Sequence, residues 1–129
     1  MSKHVIQTHS APAAVGPYSQ AIVVDSGQRT VFLSGQIALT PETGDLVSEN
    51  FDEQVIQCFK NIEAVAEACG ASLSNIVKLN LYLTDLSKFA TANALMGELL
   101  PQPYPARSTV EVASLPKGAQ IEIEAILAI

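Results

Sequence analysis

The stretch NIVKLNLYLTD at positions 75–85 alternates apolar and polar residues. Val77, Leu79, Leu81 and Leu83 fall in one row, and Lys78, Asn80, Tyr82 and Thr84 in the other. A period of two places each row on one face of a strand. Residues 51–69 keep a different period. Val55, Phe59, Ile62, Ala66 and Cys69 recur at three- and four-residue steps, with Lys60, Glu63 and Glu67 facing out, which predicts an amphipathic helix. Asn50 stands as its N-cap with Glu53 three positions on, a capping-box pattern, and Gly70 is placed to end it. A second helix is predicted over about 86–100, capped by Asp85 or Ser87, with Phe89, Ala92, Leu95 or Met96, and Leu99 inward. PQPYP stops it, because proline supplies no helical donor.

The remaining apolar runs are short and β-branched. QAIVVD and TVFLSGQIAL predict a hairpin about the turn at 26–28. RSTVEVA (107–113) and AQIEIEAILAI (119–129) predict two closing strands around LPKG. APAAVGPYSQ (11–20) and TPETGDL (40–46) are loops by their Pro and Gly. The order β-β-α-β-α-β-β in 129 residues predicts a single α+β domain, a mixed sheet with two helices on one face. With Val110, Val112, Ile121 and Ile123 turned to the helices, Arg107, Thr109, Glu111, Glu122 and Glu124 fall on the far face. The last strand continues that row with Ile126 and Ala128, and Phe32 or its neighbours add to it. A face mixing these residue types is expected to meet another chain.

Composition sharpens the expectation. Hydrophobic residues make up 48% and charged residues 16%, high apolar content for a small domain, which points to self-association. The net charge of −6 and the lack of a basic cluster argue against nucleic-acid binding by phosphate neutralisation. No apolar run approaches the roughly 20 residues of a membrane span. The start MSKHVIQTHS lacks the apolar core of a signal peptide, and with two cysteines the expected setting is reducing and cytoplasmic. Cys58 and Cys69 share a helical stripe about three turns apart, too far for a disulfide, and read as buried thiols. His4 and His9 have no partners at metal-like spacing, so no metal site is expected.

Candidate chemistry centres on the two arginines. Arg29 lies in the turn DSGQRT, whereas Arg107 follows a proline-rich run and opens a row of β-branched residues. Two readings stand for Arg107: an edge charge, solvated or bridged to a glutamate, or a fork holding a small carboxylate bidentately. In the second, a neighbouring glutamate, Glu122 by preference, handles protons. Ser34 has no His or Lys base beside it in LSGQIA and reads, like Gly35, as a small residue allowing close backbone approach. Tyr18 reads as a loop residue packing its ring. Asn93 is a mediocre helix former at mid-helix, either solvated or reaching a neighbouring site.

The stretches APAAVGPYSQA, LSGQIALTPETGDL, CFKNIEAVAEACGASLSNIVKLNLYLTDLSKFATANA and PARSTVEVASLPKGAQIEIEAI cover nearly the whole chain. In them the chain resembles the Rid (YjgF-like) family, most closely its RidA branch. The resemblance implies a chorismate-mutase-like α+β fold. It also implies a homotrimer with sheets packed inward around a central barrel, sites in the clefts between subunits, and final strands that are not sheet neighbours. It implies hydrolysis of 2-imino acids or their enamine tautomers, released by PLP-dependent dehydratases, to 2-oxo acids and ammonia. Such hydrolysis needs neither metal nor organic cofactor. By position, Arg107 would bind the carboxylate and Glu122 would orient or activate water. Tyr18, counted with Arg107 and Glu122 among the catalytic residues, and Asn93 would line and polarise the cleft, and Ser34 and Gly35 would form its wall. Thr109 stands where many relatives carry Cys, so a thiol nucleophile is excluded there and a hydroxyl or backbone contact is left. The stretch from Asn93 to PARS is a few residues short, which would reshape the cleft rim. The alternative is a non-catalytic trimer that binds or senses 2-oxo acids, or acts as a chaperone. RNA cleavage, also described for relatives, fits poorly with the charge.

Overall fold

In the computed structural model, residues 3–129 are described. Helix α1, Phe51–Ala68, begins where the Asn50 side chain accepts from the Glu53 N–H at 2.9 Å. The reciprocal half of the cap runs through Ser48. Its hydroxyl accepts from the Asn50 N–H at 3.0 Å and donates to the Glu53 carboxylate at 2.6 Å. After the helix, Gly70 takes φ +77°, a left-handed conformation that glycine adopts without steric cost. The buried row of α1 is Phe51, Gln54, Val55, Cys58, Phe59, Ile62 and Ala66.

The strands are β1 (Lys3–Ile6), β2 (Ala21–Val24), β3 (Thr30–Phe32), β4 (Ile76–Leu83), β5 (Ala106–Glu111) and β6 (Ile121–Ala128). Helix α2, Phe89–Leu99, joins β4 to β5, and single 3-10 turns occupy Leu73–Asn75, Leu86–Lys88 and Pro116–Gly118. The main sheet has the order β3-β6-β4-β5, with β4 and β5 parallel and the other pairs antiparallel. The consecutive strands β5 and β6 are thus separated by β4. Leu79, Leu81 and Leu83 of β4 pair with Ala125, Ile123 and Ile121 of β6, all buried. This row forms one core with α1 and with Ala92 and Met96 of α2. Each such Leu or Ile contributes about 1.5–3 kcal/mol on burial. Among the described residues no helix is long and apolar enough to cross a membrane.

The α+β class and both helices match the sequence reading; several details do not. The first two predicted strands make no hairpin. β2 pairs with β1, from Lys3 opposite Val24 to Ile6 opposite Ala21, and β3 pairs with β6. The turn forms, with Gly27 at φ +90°, but KHVI is itself a strand and takes β2 as its partner. In β4 a bulge between Ile76 and Lys78 puts Ile76, rather than Val77, in the buried row. Cys69 is half-buried rather than buried, since it caps the helix at its solvent end. Asp85 caps only the 3-10 turn, through the Ser87 N–H at 2.9 Å, and α2 starts at Phe89.

The largest correction concerns β5. Arg107, Thr109 and Glu111 pair in register with Leu79, Leu81 and Leu83, so they share the helix face. Val110 lies on the other face and is 46% exposed, while Val112 falls beyond the strand's end. An edge strand reaches past the packed centre, so its inward row tolerates polar groups and apolarity no longer marks the inside. Glu122, Glu124 and Ile126 of β6 do lie on the uncovered face, opposite Tyr82, Asn80 and Lys78. Phe32, opposite Ile126, joins them there at 75% exposed. Glu124 accepts from Asn80 Nδ2 at 3.1 Å and from the Tyr82 hydroxyl at 2.5 Å, and that bond pushes the phenol pKa up.

Gln54 ties the loop before β6 to the start of α1. Its amide nitrogen donates to the Ser48 carbonyl at 2.9 Å and its oxygen accepts from the Gln120 N–H at 3.0 Å. Replacing it by leucine keeps the volume and orphans both backbone groups. Gln54→Leu is expected to destabilise the fold by roughly 2–4 kcal/mol. Urea denaturation checks this, and an unchanged midpoint contradicts it.

Candidate active site

Arg107 lies on the helix face of the edge strand β5, beneath the second turn of α2. Its Nη1 donates to Asn93 Oδ1 at 2.5 Å and approaches Met96 Sδ at 3.7 Å. The guanidinium carbon sits 4.8 Å from the centre of the Tyr18 ring and 5.3 Å from that of Phe89. Two π faces and one amide oxygen therefore surround a half-buried cation. Among the described residues, no carboxylate lies within ion-pair distance of it. Burial pushes its pKa down and the neighbouring Tyr18 acts in the opposite direction, but a guanidinium stays charged at neutral pH.

The loop at 11–20 brings Tyr18 to this place. The Tyr18 N–H donates to the Gly16 carbonyl at 2.8 Å, and its hydroxyl accepts from the Val15 N–H at 3.3 Å. Ser19 then clamps the loop to the segment leading into β5. Its N–H donates to the Pro105 carbonyl at 2.9 Å and its hydroxyl to the Tyr104 carbonyl at 2.5 Å. Ser19 is a buried polar residue with both donors used. Val15, Tyr18, Phe89, Asn93, Arg107 and Thr109 line a recess of about 290 Å³, enough for a small metabolite. The Thr109 hydroxyl is buried without a partner.

Glu122, Ser34 and Gly35 form a second group on the other face of the sheet. Glu122 pairs in register with Tyr82, whereas Arg107 pairs with Leu79, and these two alternate along β4. The chain bulges beside β6 at Ser34 and Gly35. The Leu33 N–H donates to the Ala125 carbonyl at 2.9 Å and the Gln36 N–H to the Ile123 carbonyl at 2.8 Å, so three steps on one side match two on the other. A Cβ at Gly35 would lie 2.7 Å from Glu122 Oε2, so glycine here lets the Glu122 side chain keep its present position. Thus the fold gathers Arg107, Tyr18, Asn93 and Thr109, and within one chain it leaves Glu122, Ser34 and Gly35 apart from them.

Sequence reasoning missed three contributors: Ser19, Met96 as a neighbour of Arg107, and Phe89 as its ring partner rather than a core residue. A polar residue directly after an aromatic in a Pro/Gly loop is the only trace that Ser19 leaves. Cys58 is no nucleophile. Its thiol donates to the Gln36 carbonyl at 3.3 Å, and burial, with the charge of Glu122 adding, pushes its pKa up to about 12. At about pH 8.5 iodoacetamide is therefore expected to label Cys69 and spare Cys58 in the folded protein. Equal labelling of both, read by peptide mass spectrometry, contradicts this geometry.

Residues 8–129 match the family model described as Endoribonuclease L-PSP. The chain is 43% identical over 124 residues to the human 2-iminobutanoate/2-iminopropanoate deaminase, covering 96% of this chain and 88% of that one. It superposes on the crystal structure of RidA from the Antarctic bacterium Psychrobacter with a TM-score of 0.76 at 52% identity, over 98% and 99% of the two chains. Against E. coli TdcF with bound serine the TM-score is 0.73 at 39% identity, again over 98% and 99%. These matches span nearly the whole domain, and the chain belongs to the Rid (YjgF-like) family.

Proposed function

We propose that this protein hydrolyses reactive 2-imino acids and their enamine tautomers to 2-oxo acids and ammonia. One observation carries the reading: Arg107 is a half-buried cation with no carboxylate partner among the described residues, set against the rings of Tyr18 and Phe89, with one nitrogen already engaged by Asn93. A buried charge demands a counter-charge, and the remaining edge of the fork matches a carboxylate. The human relative named for this activity and the E. coli relative with bound serine, itself a small carboxylate, support the choice of ligand.

The chemistry asks little of the protein. Water adds to the imine carbon, the C=N bond becomes a carbinolamine, and its C–N bond breaks to release ammonia and leave the 2-oxo acid. Fixing the carboxylate on Arg107 removes much of the entropy of encounter. A carboxylate in reach of the attacking water accepts its proton and returns it to the leaving nitrogen, an effect of roughly 100- to 10,000-fold. In this reading Glu122 does so, and it comes from a neighbouring chain. Its position on the opposite face from Arg107 excludes the same chain's pair from one cleft. A homotrimer with clefts between subunits would bring Ser34, Gly35 and Glu122 of one protomer to the Arg107 recess of the next. The uncovered face, with Phe32 and Val110 exposed, supports such an assembly. Phosphodiester cleavage is disfavoured. A lone recessed cation in a chain of net charge −6 provides no track for a polyanion.

A dehydratase generates the imine in situ, and its decay is followed with and without this protein. Arg107→Ala is expected to lose at least about 100-fold in kcat/KM, and Arg107→Lys to remain impaired because an ammonium lacks the fork. Wild-type turnover by a folded Arg107→Ala variant rejects the anchor role. Binding of a 2-oxo acid without faster imine decay would favour sensing over catalysis.

Glu122→Gln is expected to lower kcat by roughly 100-fold or more and to flatten the pH–rate profile. Gly35→Ala, which forces the Glu122 carboxylate to move, is expected to lower kcat in the same direction. Unaltered pH–rate behaviour in Glu122→Gln removes that residue from proton transfer.

A further inference from the structure

The ribbon of β1 and β2 stops one rung before Ser19, and that early stop delivers Tyr18 to Arg107. Its pairs run from Lys3 opposite Val24 to Ile6 opposite Ala21. Continued in register, the next rungs would set Gln7 opposite Gln20 and Thr8 opposite Ser19. Ser19 does not take that place. Its N–H goes to the Pro105 carbonyl at 2.9 Å and its hydroxyl to the Tyr104 carbonyl at 2.5 Å. The Gln20 side chain stands in for it at Thr8. Gln20 Oε1 accepts from the Thr8 N–H at 2.7 Å, and Nε2 donates to the Thr8 carbonyl at 3.1 Å and to the Pro12 carbonyl at 2.7 Å. One acceptor and both amide hydrogens are thus spent on closing the base of the loop that carries Tyr18. Without Gln20 the ladder can grow by the missing rung, which draws Ser19 back toward β1 and Tyr18 with it. The ring has room there. A recess of about 210 Å³ lies against β1, with Val5, Ile6 and Ala13 among its walls. Tyr18 is a wall of this recess and of the one at Arg107.

We propose that Gln20 is a positioning residue of the active site: by standing in for the missing rung at Thr8 it frees Ser19 for the Pro105 segment and so keeps the Tyr18 ring over the Arg107 guanidinium. Gln20 does not line the Arg107 recess, so it acts through the chain alone. Its effect on imine hydrolysis rests on the proposed function. Its effect on the ring does not.

Two variants test it. Gln20→Ala loses all three bonds, and Gln20→Glu keeps the shape and the acceptor but loses both donors. Gln20 is only partly buried and lies outside the core, so both are expected to fold. The chain has two arginines, Arg29 and Arg107, so a nitrogen-15 NMR spectrum at mildly acidic pH holds two Nε–H signals. That of Arg107 lies under the ring currents of Tyr18 and Phe89. Tyr18→Ala gives its position without the Tyr18 ring. In both Gln20 variants the Arg107 signal is expected to move most of the way to that position while the Arg29 signal stays. In calorimetry with 2-oxobutanoate, Tyr18→Ala and Gln20→Ala are each expected to raise Kd roughly tenfold. The double variant is expected to bind no more weakly than Tyr18→Ala alone, because the ring that Gln20 positions is already gone. An Arg107 signal unmoved in the Gln20 variants, or losses that add in the double variant, overturns the positioning role. Failure of the wild type to accelerate imine decay overturns the hydrolysis reading instead, and the NMR comparison still decides the role of Gln20.

Discussion

The site depends on one desolvated cation. Taking a guanidinium partly out of water is unfavourable unless other groups replace its hydration. Here the replacement is incomplete. Asn93 accepts from one nitrogen, and the faces of the Tyr18 and Phe89 rings lie 4.8 and 5.3 Å from the guanidinium carbon. None of these neutralises the charge. Under the proposed function a small carboxylate supplies what the fold leaves out, through two parallel hydrogen bonds to the fork. An acidic protein would attract an anion in this way, because the field inside the recess decides and not the sum of surface charges.

Much of the fold serves to hold that cation in place. β5 is an edge strand laid parallel to β4 by the α2 crossover, so its inward row extends beyond the Leu79–Leu81–Leu83 core. Asn93 and Met96 descend from α2 onto Arg107, and Ser19 fastens the Tyr18 loop to the backbone ahead of β5. On the other face, Glu122 and Glu124 lie among Tyr82, Asn80, Ile126 and Phe32, a surface that neither helix covers. Under the proposed function the two faces meet only between chains. Assembly and chemistry are then one problem, and a protomer alone would hold an anchor without its proton carrier.

The sequence showed the parts of this structure governed by strong periodicity. α1 was legible because its apolar stripe, its Asn50 cap and Gly70 all agree. β4 was legible because it is central and alternates, apart from the bulge that exchanged Ile76 for Val77. β5 was misread for a physical reason: at a sheet's edge the inner row carries Arg107 and Thr109, while Val110 points away. The β1–β2 pairing was hidden because short β-branched runs do not name their partners. Of the site, alternation suggested a polar row, but nothing in spacing joins Tyr18, Asn93 and Arg107. Their convergence is tertiary, and on the page of the sequence only the family resemblance announced it.

A crystal structure with a bound 2-oxo acid such as 2-oxobutanoate tests the central claim most directly. The account predicts the ligand's carboxylate paired side-on with the Arg107 guanidinium at about 2.8–3.0 Å, between the rings of Tyr18 and Phe89. It also predicts a neighbouring protomer's Glu122 facing the ligand's second carbon. A ligand seated away from Arg107, or a guanidinium turned out into solvent, contradicts it.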